Sequence, residues 1–318
     1  MDGYGQEDLL RAAAAGVRAP SLHNTQPWQF RLRDGAVEIL ADPSRRLSVA
    51  DHTGWAARIA VGAATCNARL ALAADGRPAT VTLRPDRTDP DLMARLTPGV
   101  ARPPTQAEKA LYDAIPLRHS HRAPFWPDPV PSDARRRIID AARAENAWLD
   151  LLVGMVPLTG FAEIARSADR VLRRDTLYQS EMAWWIHAGN APDGVPVAVG
   201  APAPEPQDLL PQRAFSDRRR VPGHDYEPEP LVAVLGSAGD GPADQLLAGQ
   251  ALQRVLLTLT DDGLAASLIS QPIEVPAARD QLRRSLGRSG CPQMALRIGY
   301  GRPGPATQRR TVEDVLVP

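Results

Sequence analysis

Four short polar side chains and two prolines lie within one ten-residue stretch, Ala19-Pro20-Ser21-Leu22-His23-Asn24-Thr25-Gln26-Pro27-Trp28. Side chains of Ser, Asn, Thr and Gln each donate and accept hydrogen bonds. Pro20 and Pro27 restrict the backbone, so neither flanking element continues through the stretch. Such a loop can present oriented donors and acceptors to a flat polar ligand. The alternative is a helix-ending loop whose polar groups satisfy only one another.

This loop is similar to that of nitroreductase-fold flavoproteins, in which a Pro-Ser-x-x-Asn-x-Gln-Pro-Trp pattern lies against the isoalloxazine ring of FMN. With Asp75-Gly76, residues 248–270 and the Arg-rich ends, the chain from about 9 to 316 resembles the Acg family, which has two nitroreductase-like halves in one polypeptide. The resemblance implies FMN as cofactor. The loop residues expected to contact it are Pro20, Ser21, Leu22 and Asn24, with Asn24 at the ring edge.

The other loop residues are expected to support the flavin contact from behind. Gln26 and Trp28 are expected to hold the loop in place. For a lone histidine, we favour a supporting role for His23 rather than direct contact.

The resemblance also implies a phosphate site in the Arg-x-Ser-x-Arg pattern of Arg118, Ser120 and Arg122. Guanidinium groups bind phosphate oxygens through paired, charge-assisted hydrogen bonds, and a serine hydroxyl can donate to a third oxygen. Arg309 stands where nitroreductases carry a basic residue near the C-terminus, but the sequence does not separate Arg309 from Arg310. The alternative is surface charge, because nearly all basic residues of this chain are arginines.

A third segment resembles the flavin-facing segment of nitroreductases and contains Leu268, Ile269, Ser270 and Gln271. Many relatives have Gly or Glu around the positions of Ser270 and Gln271, so this chain departs from the pattern there. Groups near the flavin N5 tune the ring, and the departure leaves reduction chemistry open.

The composition is that of a globular protein with one large or two ordinary domains: 318 residues, 43% hydrophobic and 23% charged. The 37 basic and 37 acidic residues balance, which gives no general attraction to nucleic acid or an anionic membrane. No apolar run approaches the ~20 residues of a membrane span. Cys66 and Cys291 lack the spacing of a metal or redox pair. These features favour a cytoplasmic protein without a metal.

The elements that must position these residues follow from hydrophobic periodicity and turn residues. Residues 29–32 and 37–40 are expected to form a hairpin around Asp34-Gly35. The remaining predicted strands are 79–83, 147–153, 231–235, 265–269 and 294–298. The predicted helices are 7–17, 59–74, 89–96, 106–114, 132–144, 160–175, 176–187, 243–262 and 276–286.

Two halves are indicated by a repeat. Residues 62–76 and 249–263 both run fourteen steps from a Gly to an Asp-Gly, with matching Ala and Leu positions between. The alternative is chance agreement between two Ala/Leu-rich helices. We predict nitroreductase-like halves at 1–103 and 104–318, separated near residues 99–105, with an inserted lid at about 191–230. The fold class is α+β, with the halves joined as an intramolecular pseudo-dimer.

Only one complete set of site parts remains, because the first half lacks an Arg-x-Ser-x-Arg pattern and the second half lacks the polar loop. The resemblance therefore implies one FMN per chain, at the interface of the halves. Two functions stay open. One is an NAD(P)H-dependent oxidoreductase that passes electrons to a nitroaromatic, a quinone or a similar acceptor. The other is storage or sequestration of FMN beneath the lid, in response to stress. A flavin-dependent sensor is a third, weaker alternative.

Overall fold

The computed structural model of the protein describes residues 3–187, 189, 191–197, 208–211, 213, 230–301, 304 and 307–318. Within these residues, helices pack on two four-stranded antiparallel sheets, which confirms the predicted α+β class. Most of the predicted lid, residues 198–207, 212 and 214–229, lies outside the described residues.

The first sheet begins with the predicted hairpin. Its turn residues Asp34 and Gly35 have φ values of 52° and 67°, the left-handed backbone that a two-residue turn between twisted strands requires. The sheet has the order β1-β2-β4-β3. Its strands are β1 (Trp28–Arg33), β2 (Ala36–Ala41), β3 (Ala79–Leu83) and β4 (Leu92–Pro98).

The helix predicted at 89–96 is wrong, because this stretch contains strand β4. Leu92, Ala94 and Leu96 are buried, and β4 pairs with both β2 and β3. The Asp89 carboxylate accepts from the N–H groups of Asp91 and Leu92, both at 3.2 Å, and so forms a turn rather than a helix cap.

The second sheet has the order β5-β8-β10-β9, so its strands follow the same pattern as those of the first sheet. A small parallel pair joins β6 to β7. The strands are β5 (Trp148–Leu152), β6 (Ile186–His187), β7 (Val195–Pro196), β8 (Leu231–Ser237), β9 (Ala265–Ile269) and β10 (Cys291–Gly299).

Two long helices lie at the centre of the molecule. They are α2 (Trp55–Ala74) and α7 (Pro242–Asp261), and each is followed by Asp-Gly with the Gly in the left-handed region. Helix α2 packs on the first sheet through residues such as Ala60 and Ala64, and α7 packs on the second through Ala251 and Val255. Because the two helices also pack on each other, they join the two sheets into one body.

The remaining helices surround this centre. They are α1 (Gln6–Gly16), α3 (Gln106–Ala114), α4 (Ser132–Arg143), α5 (Met155–Arg174), α6 (Thr176–Trp184), α8 (Gln271–Glu274) and α9 (Pro276–Ser285). Helix α6 was predicted to reach residue 187 but ends at Trp184, because β6 begins at Ile186. Near the C-terminus, the Val317 N–H donates to the Phe30 carbonyl at 3.0 Å, so the chain end lies against the first sheet.

The described residues were compared with the patterns of membrane-spanning helices and of metal sites. None of their helices is both long and apolar enough to cross a membrane. No group of three or more of their His, Cys, Asp and Glu residues is arranged to hold a metal ion.

Candidate functional site

A cavity lies where the polar loop, helices α2 and α7 and the second sheet meet. Nine of the twelve predicted site residues line it: Pro20, Ser21, Leu22, Ser120, Arg122, Leu268, Ile269, Ser270 and Gln271. Residues separated by about 250 positions in sequence therefore meet in one cavity.

The polar loop beside this cavity has a backbone conformation that residues other than glycine rarely adopt. His23, Asn24 and Gln26 have φ values of 51°, 58° and 52°, although none of them is glycine. Such left-handed residues persist only where surrounding contacts hold them. Here the Ser21 hydroxyl accepts from the Gln26 N–H at 2.9 Å, which closes the loop on itself. The loop is thus a fixed wall of the cavity.

Asn24, predicted to lie at the ring edge, bonds through its side-chain amide to two other segments of the chain. Its amide donates to the carbonyls of Gly194 at 3.0 Å and Gln308 at 3.1 Å, and it is not among the residues that line the cavity. Gln26 likewise donates to the Pro192 carbonyl at 2.8 Å and accepts from the Arg310 N–H at 2.8 Å. Both residues join the loop to the start of the predicted lid and to the C-terminal segment.

A cationic cluster of Arg118, Arg122 and Arg309 stands beside the cavity, which only Arg122 of the three lines. Arg118 is 8% exposed, and its guanidinium donates to the Arg18 carbonyl at 3.3 Å; that of Arg309 donates to the Ala19 carbonyl at 3.4 Å. Burial, together with Arg118, Arg18 and Arg122, lowers the pKa of Arg309 to about 9. Burial, then Arg122, lowers the pKa of Arg118 to about 10. The fold thus concentrates positive charge that an anion would stabilise.

Two arginines of this cluster have hydrogen-bond donors without an acceptor. The Nε atoms of Arg118 and Arg309 are buried and have no hydrogen-bond partner among the described residues. Buried polar atoms without partners are rare in folded proteins, and they mark places where a ligand or water completes the bonding. Beside them, Ser120 forms a parallel bridge with Ala266, which fixes the basic segment against the edge of β9.

The geometry separates Arg309 from Arg310. Arg310 pairs with Asp42 at 3.7 Å and donates to the Asp314 carbonyl. Arg309 instead belongs to the cationic cluster with Arg118 and Arg122. Of the two arginines, Arg309 is therefore the one that stands in the cationic cluster beside the cavity.

A buried network at the cavity wall was missed by the sequence analysis. Arg213 forms an ion pair with Glu274, whose side chain is 1% exposed, and donates to the Tyr178 hydroxyl at 2.6 Å. It also bonds to Ser270 Oγ at 3.2 Å and to His23 Nε2 at 2.7 Å. His23, which we expected to act from behind the loop, lines the cavity itself. Burial, then Arg213 and Arg122, lowers its pKa well below the usual value, so the ring is neutral at pH 7.

Two further lining residues carried no usable sequence signal. Arg297 on β10 is 5% exposed and donates to the Ala123 carbonyl at 2.8 Å, with its guanidinium 4.8 Å from the Phe125 ring centre. Trp55, at the start of α2, lines the cavity and donates to Gln293 Oε1 at 2.9 Å. A single arginine or tryptophan in a strand or helix cannot be recognised from the sequence as a ligand contact.

The arrangement fits an elongated ligand with a charged end and a flat body. The cationic cluster suits a phosphate, and part of the cavity wall is apolar, with residues such as Leu22, Ile59, Leu252 and Met294. Ser270, Gln271 and the Arg213 network add hydrogen-bonding groups to the wall. A phosphorylated mononucleotide-like molecule has this distribution of polarity.

The sequence has full-length relatives. No protein-family model matches the chain. A Mycobacterium tuberculosis protein provisionally named NAD(P)H nitroreductase acg is 31% identical over 320 residues, which cover 97% of this chain and 95% of the relative. A second provisionally named NAD(P)H nitroreductase of that organism is 34% identical over 322 residues, covering 98% and 91%.

Solved structures show a more distant likeness. Nitroreductase NfnB from Mycobacterium smegmatis, in complex with NADPH, is 18% identical, and the match covers 66% of this chain and 93% of that one, with a TM-score of 0.40. A Bacteroides fragilis nitroreductase with bound FMN is 15% identical, with 63% and 93% covered and a TM-score of 0.38. Both are too distant to carry an argument about activity.

Proposed function

The chain belongs to the Acg family of nitroreductase-like proteins, and from that premise we propose that it binds one FMN per chain in the cavity between its halves. The observation that carries this proposal is the cationic cluster of Arg118, Arg122 and Arg309. A ribityl phosphate supplies a counter-charge for the cluster and acceptor oxygens for the unpartnered Nε atoms of Arg118 and Arg309. Ser120, from the same segment, provides a hydroxyl beside them.

The flavin ring belongs, in this proposal, between the two polypeptide segments that line the rest of the cavity. Pro20, Ser21 and Leu22 provide one wall, and the segment from Leu268 to Gln271 provides the other. Direct contact of Asn24 with the ring stays a prediction. Its hydrogen bonds to Gly194 and Gln308 support instead a role in holding the loop.

We assign oxidoreductase activity as the first function. Bound FMN supplies two-electron redox chemistry, with NAD(P)H as the reductant and a nitroaromatic, quinone or similar small molecule as the acceptor. This chain's residues hold the phosphate, position the ring and leave neutral His23 in the cavity wall. The names of the two sequence relatives support this assignment.

A second function, FMN storage or sequestration, is favoured by a different observation. Val195, Leu210, Pro211 and Arg213 come from the segment predicted as a lid, and all four line the cavity. If this segment covers the flavin, a nicotinamide cannot stack on the ring and turnover is slow. The protein then protects or stores FMN instead of using it.

Turnover separates the two functions. The experiment is to purify the protein, measure its flavin absorbance, and follow NADH and NADPH oxidation with and without a nitroaromatic. The same assay is repeated on a variant shortened within residues 198–229. Rapid turnover by the intact chain supports the oxidoreductase and rejects sequestration. Turnover that only the shortened chain gains supports sequestration.

The organisation of the chain is part of the same proposal. The shared strand order of the two sheets supports halves derived from one unit, with the monomer acting as a pseudo-dimer. We propose no nucleic-acid or membrane partner, because the 37 basic and 37 acidic residues balance. A reducing, cytoplasmic location is compatible with the free thiols of Cys66 and Cys291.

A further inference from the structure

The Arg213 network places a fixed cation at the cavity wall. Arg213 contacts four residues from separate parts of the chain: His23 in the polar loop, Tyr178 in α6, Ser270 after β9 and Glu274 at the end of α8. His23, Tyr178 and Ser270 are 6%, 5% and 4% exposed. A guanidinium held by so many buried partners has little freedom, and its position relative to a ligand is therefore well defined.

The charges of this network are not evenly placed. Arg213 lines the FMN cavity, whereas its counterion Glu274 lines a neighbouring cavity with Asp51, Asp240 and Arg279. Among the described residues that line the FMN cavity there are three arginines, Arg122, Arg213 and Arg297, and no carboxylate. A molecule in the cavity therefore meets the positive end of the Arg213–Glu274 pair first.

Building on the proposed function, we propose that Arg213 raises the reduction potential of the bound flavin. Reduced FMN carries more negative charge on its ring than the oxidised form, so a nearby cation stabilises the reduced form selectively. Glu274, which lines the neighbouring cavity and not this one, opposes this effect in part.

A purely mechanical role makes a different prediction. If the pair only anchors the covering segment, removing either partner breaks the same ion pair and has the same consequence. If Arg213 acts by its charge, the two removals have opposite effects. Loss of the arginine removes a cation beside the ring, whereas loss of the glutamate removes the anion that offsets it.

The test is the midpoint potential of the flavin in the intact protein, measured by equilibration with reference dyes during reduction. The variants are Arg213→Gln and Glu274→Gln. Arg213→Lys, which keeps the charge, is expected to stay near the parent. Arg166→Gln is the matched control, because Arg166 donates to the Asp208 carbonyl at 3.2 Å outside the FMN cavity and so touches the same segment. Flavin content is measured first for each protein.

We expect Arg213→Gln to lower the equilibrium constant for reduction about tenfold, which is about 30 mV for a two-electron couple. Glu274→Gln is expected to raise the potential, and Arg166→Gln to leave it unchanged. Potential shifts of the same sign in Arg213→Gln and Glu274→Gln, or no shift in a protein that holds one flavin, would overturn this inference. Either result would leave the proposed function standing. A purified protein that binds no flavin would overturn the proposed function and this inference with it. If Arg213→Gln does not fold, a potential that fails to rise in Glu274→Gln still refutes the inference.

Discussion

Gly62 of α2 and Gly249 of α7 face each other where the two central helices cross. A Cβ added to Gly62 would lie 3.0 Å from the Gly249 Cα, and one added to Gly249 would lie 2.9 Å from the Gly62 Cα. The same added atoms would lie 2.1 Å from the Leu246 carbonyl and 2.2 Å from the Ile59 carbonyl, respectively. Ile59 and Leu246 each stand three residues before their glycine, so the contact is nearly two-fold symmetric.

Replacing either glycine with alanine is expected to separate the two helices. For Gly249→Ala we expect a loss of about 1–3 kcal/mol in the free energy of unfolding, the usual cost of overpacking. Urea denaturation measures it. Gly160→Ala is the matched control, because Gly160 is also helical but an added Cβ meets nothing within 4 Å. Equal stability of the two variants would mean that α2 and α7 do not approach each other this closely.

The crossing also shows what the sequence could predict about the fold. The repeat was found by aligning Gly62 with Gly249, and these are the residues that meet. The stretch 89–96 was misread because Leu92, Ala94 and Leu96 alternate over too few residues to separate a strand from a helix. Pairing of β4 with β2 and β3 decided its structure, and such pairing depends on residues distant in sequence.

The cationic cluster predicts a specific response to anions. Inorganic phosphate is expected to raise the melting temperature of the flavin-free protein more than chloride does at equal ionic strength. The cause is that burial and mutual repulsion hold the pKa of Arg309 near 9 and that of Arg118 near 10. Below those values the folded state carries unfavourable charge, which a bound anion relieves. Equal melting temperatures in the two salts would show that the cluster does not bind phosphate.

FMN affinity is expected to depend on the same residues. Arg118→Ala and Arg309→Ala should each raise the dissociation constant about 10- to 150-fold, since a charge-assisted contact contributes about 1.5–3 kcal/mol. Fluorescence titration of flavin-free protein measures this. Arg310→Ala should have a much smaller effect, because Arg310 is paired with Asp42. An effect of Arg310→Ala as large as that of Arg309→Ala would reverse our placement of the phosphate.

His23 is expected to make stability fall in mild acid. Its pKa is lowered in the folded protein, so below about pH 6.5 the unfolded chain takes up a proton that the folded chain excludes. Stability is therefore lost as the pH falls through that range, by at most about 1.4 kcal/mol per pH unit from this residue. Urea denaturation at pH 7.5 and 5.5 should show a smaller loss for His23→Asn, since asparagine also tolerates a positive φ. His52→Asn, at an exposed loop position, should behave like the parent.

Asn24 is expected to stabilise the start of the predicted lid. Asn24→Gly keeps the left-handed backbone but removes the amide that binds the Gly194 and Gln308 carbonyls. We expect a loss of about 1–3 kcal/mol in unfolding free energy for these two bonds, and faster hydrogen exchange at 192–196. Asn146→Gly is the control, because Asn146 is left-handed at φ 55° but exposed. If both variants exchange alike, Asn24 does not tether the segment.

The residues of the candidate site were predictable where they belong to short sequence motifs and not elsewhere. Pro20, Ser120, Arg122 and Ser270 lie in short patterns that chemistry and resemblance pointed to, and they meet in one cavity. Arg213 was not predictable, because its role depends on contacts with residues 35 to 190 positions away and its neighbours form no motif. Contact of Asn24 with the ring stays a prediction, and its bonds to Gly194 and Gln308 were not predictable because those residues are 170 and 284 positions away.

Flavin stoichiometry tests the central claim, that one cavity between two unequal halves holds one FMN by its phosphate. Flavin-free protein is titrated with FMN, and bound flavin is counted per polypeptide, for the parent and for the double variant Arg118→Ala, Arg309→Ala. The account predicts one FMN per chain in the parent and at least a tenfold weaker affinity in the double variant. Two flavins per chain, none, or unchanged affinity in the double variant would contradict it.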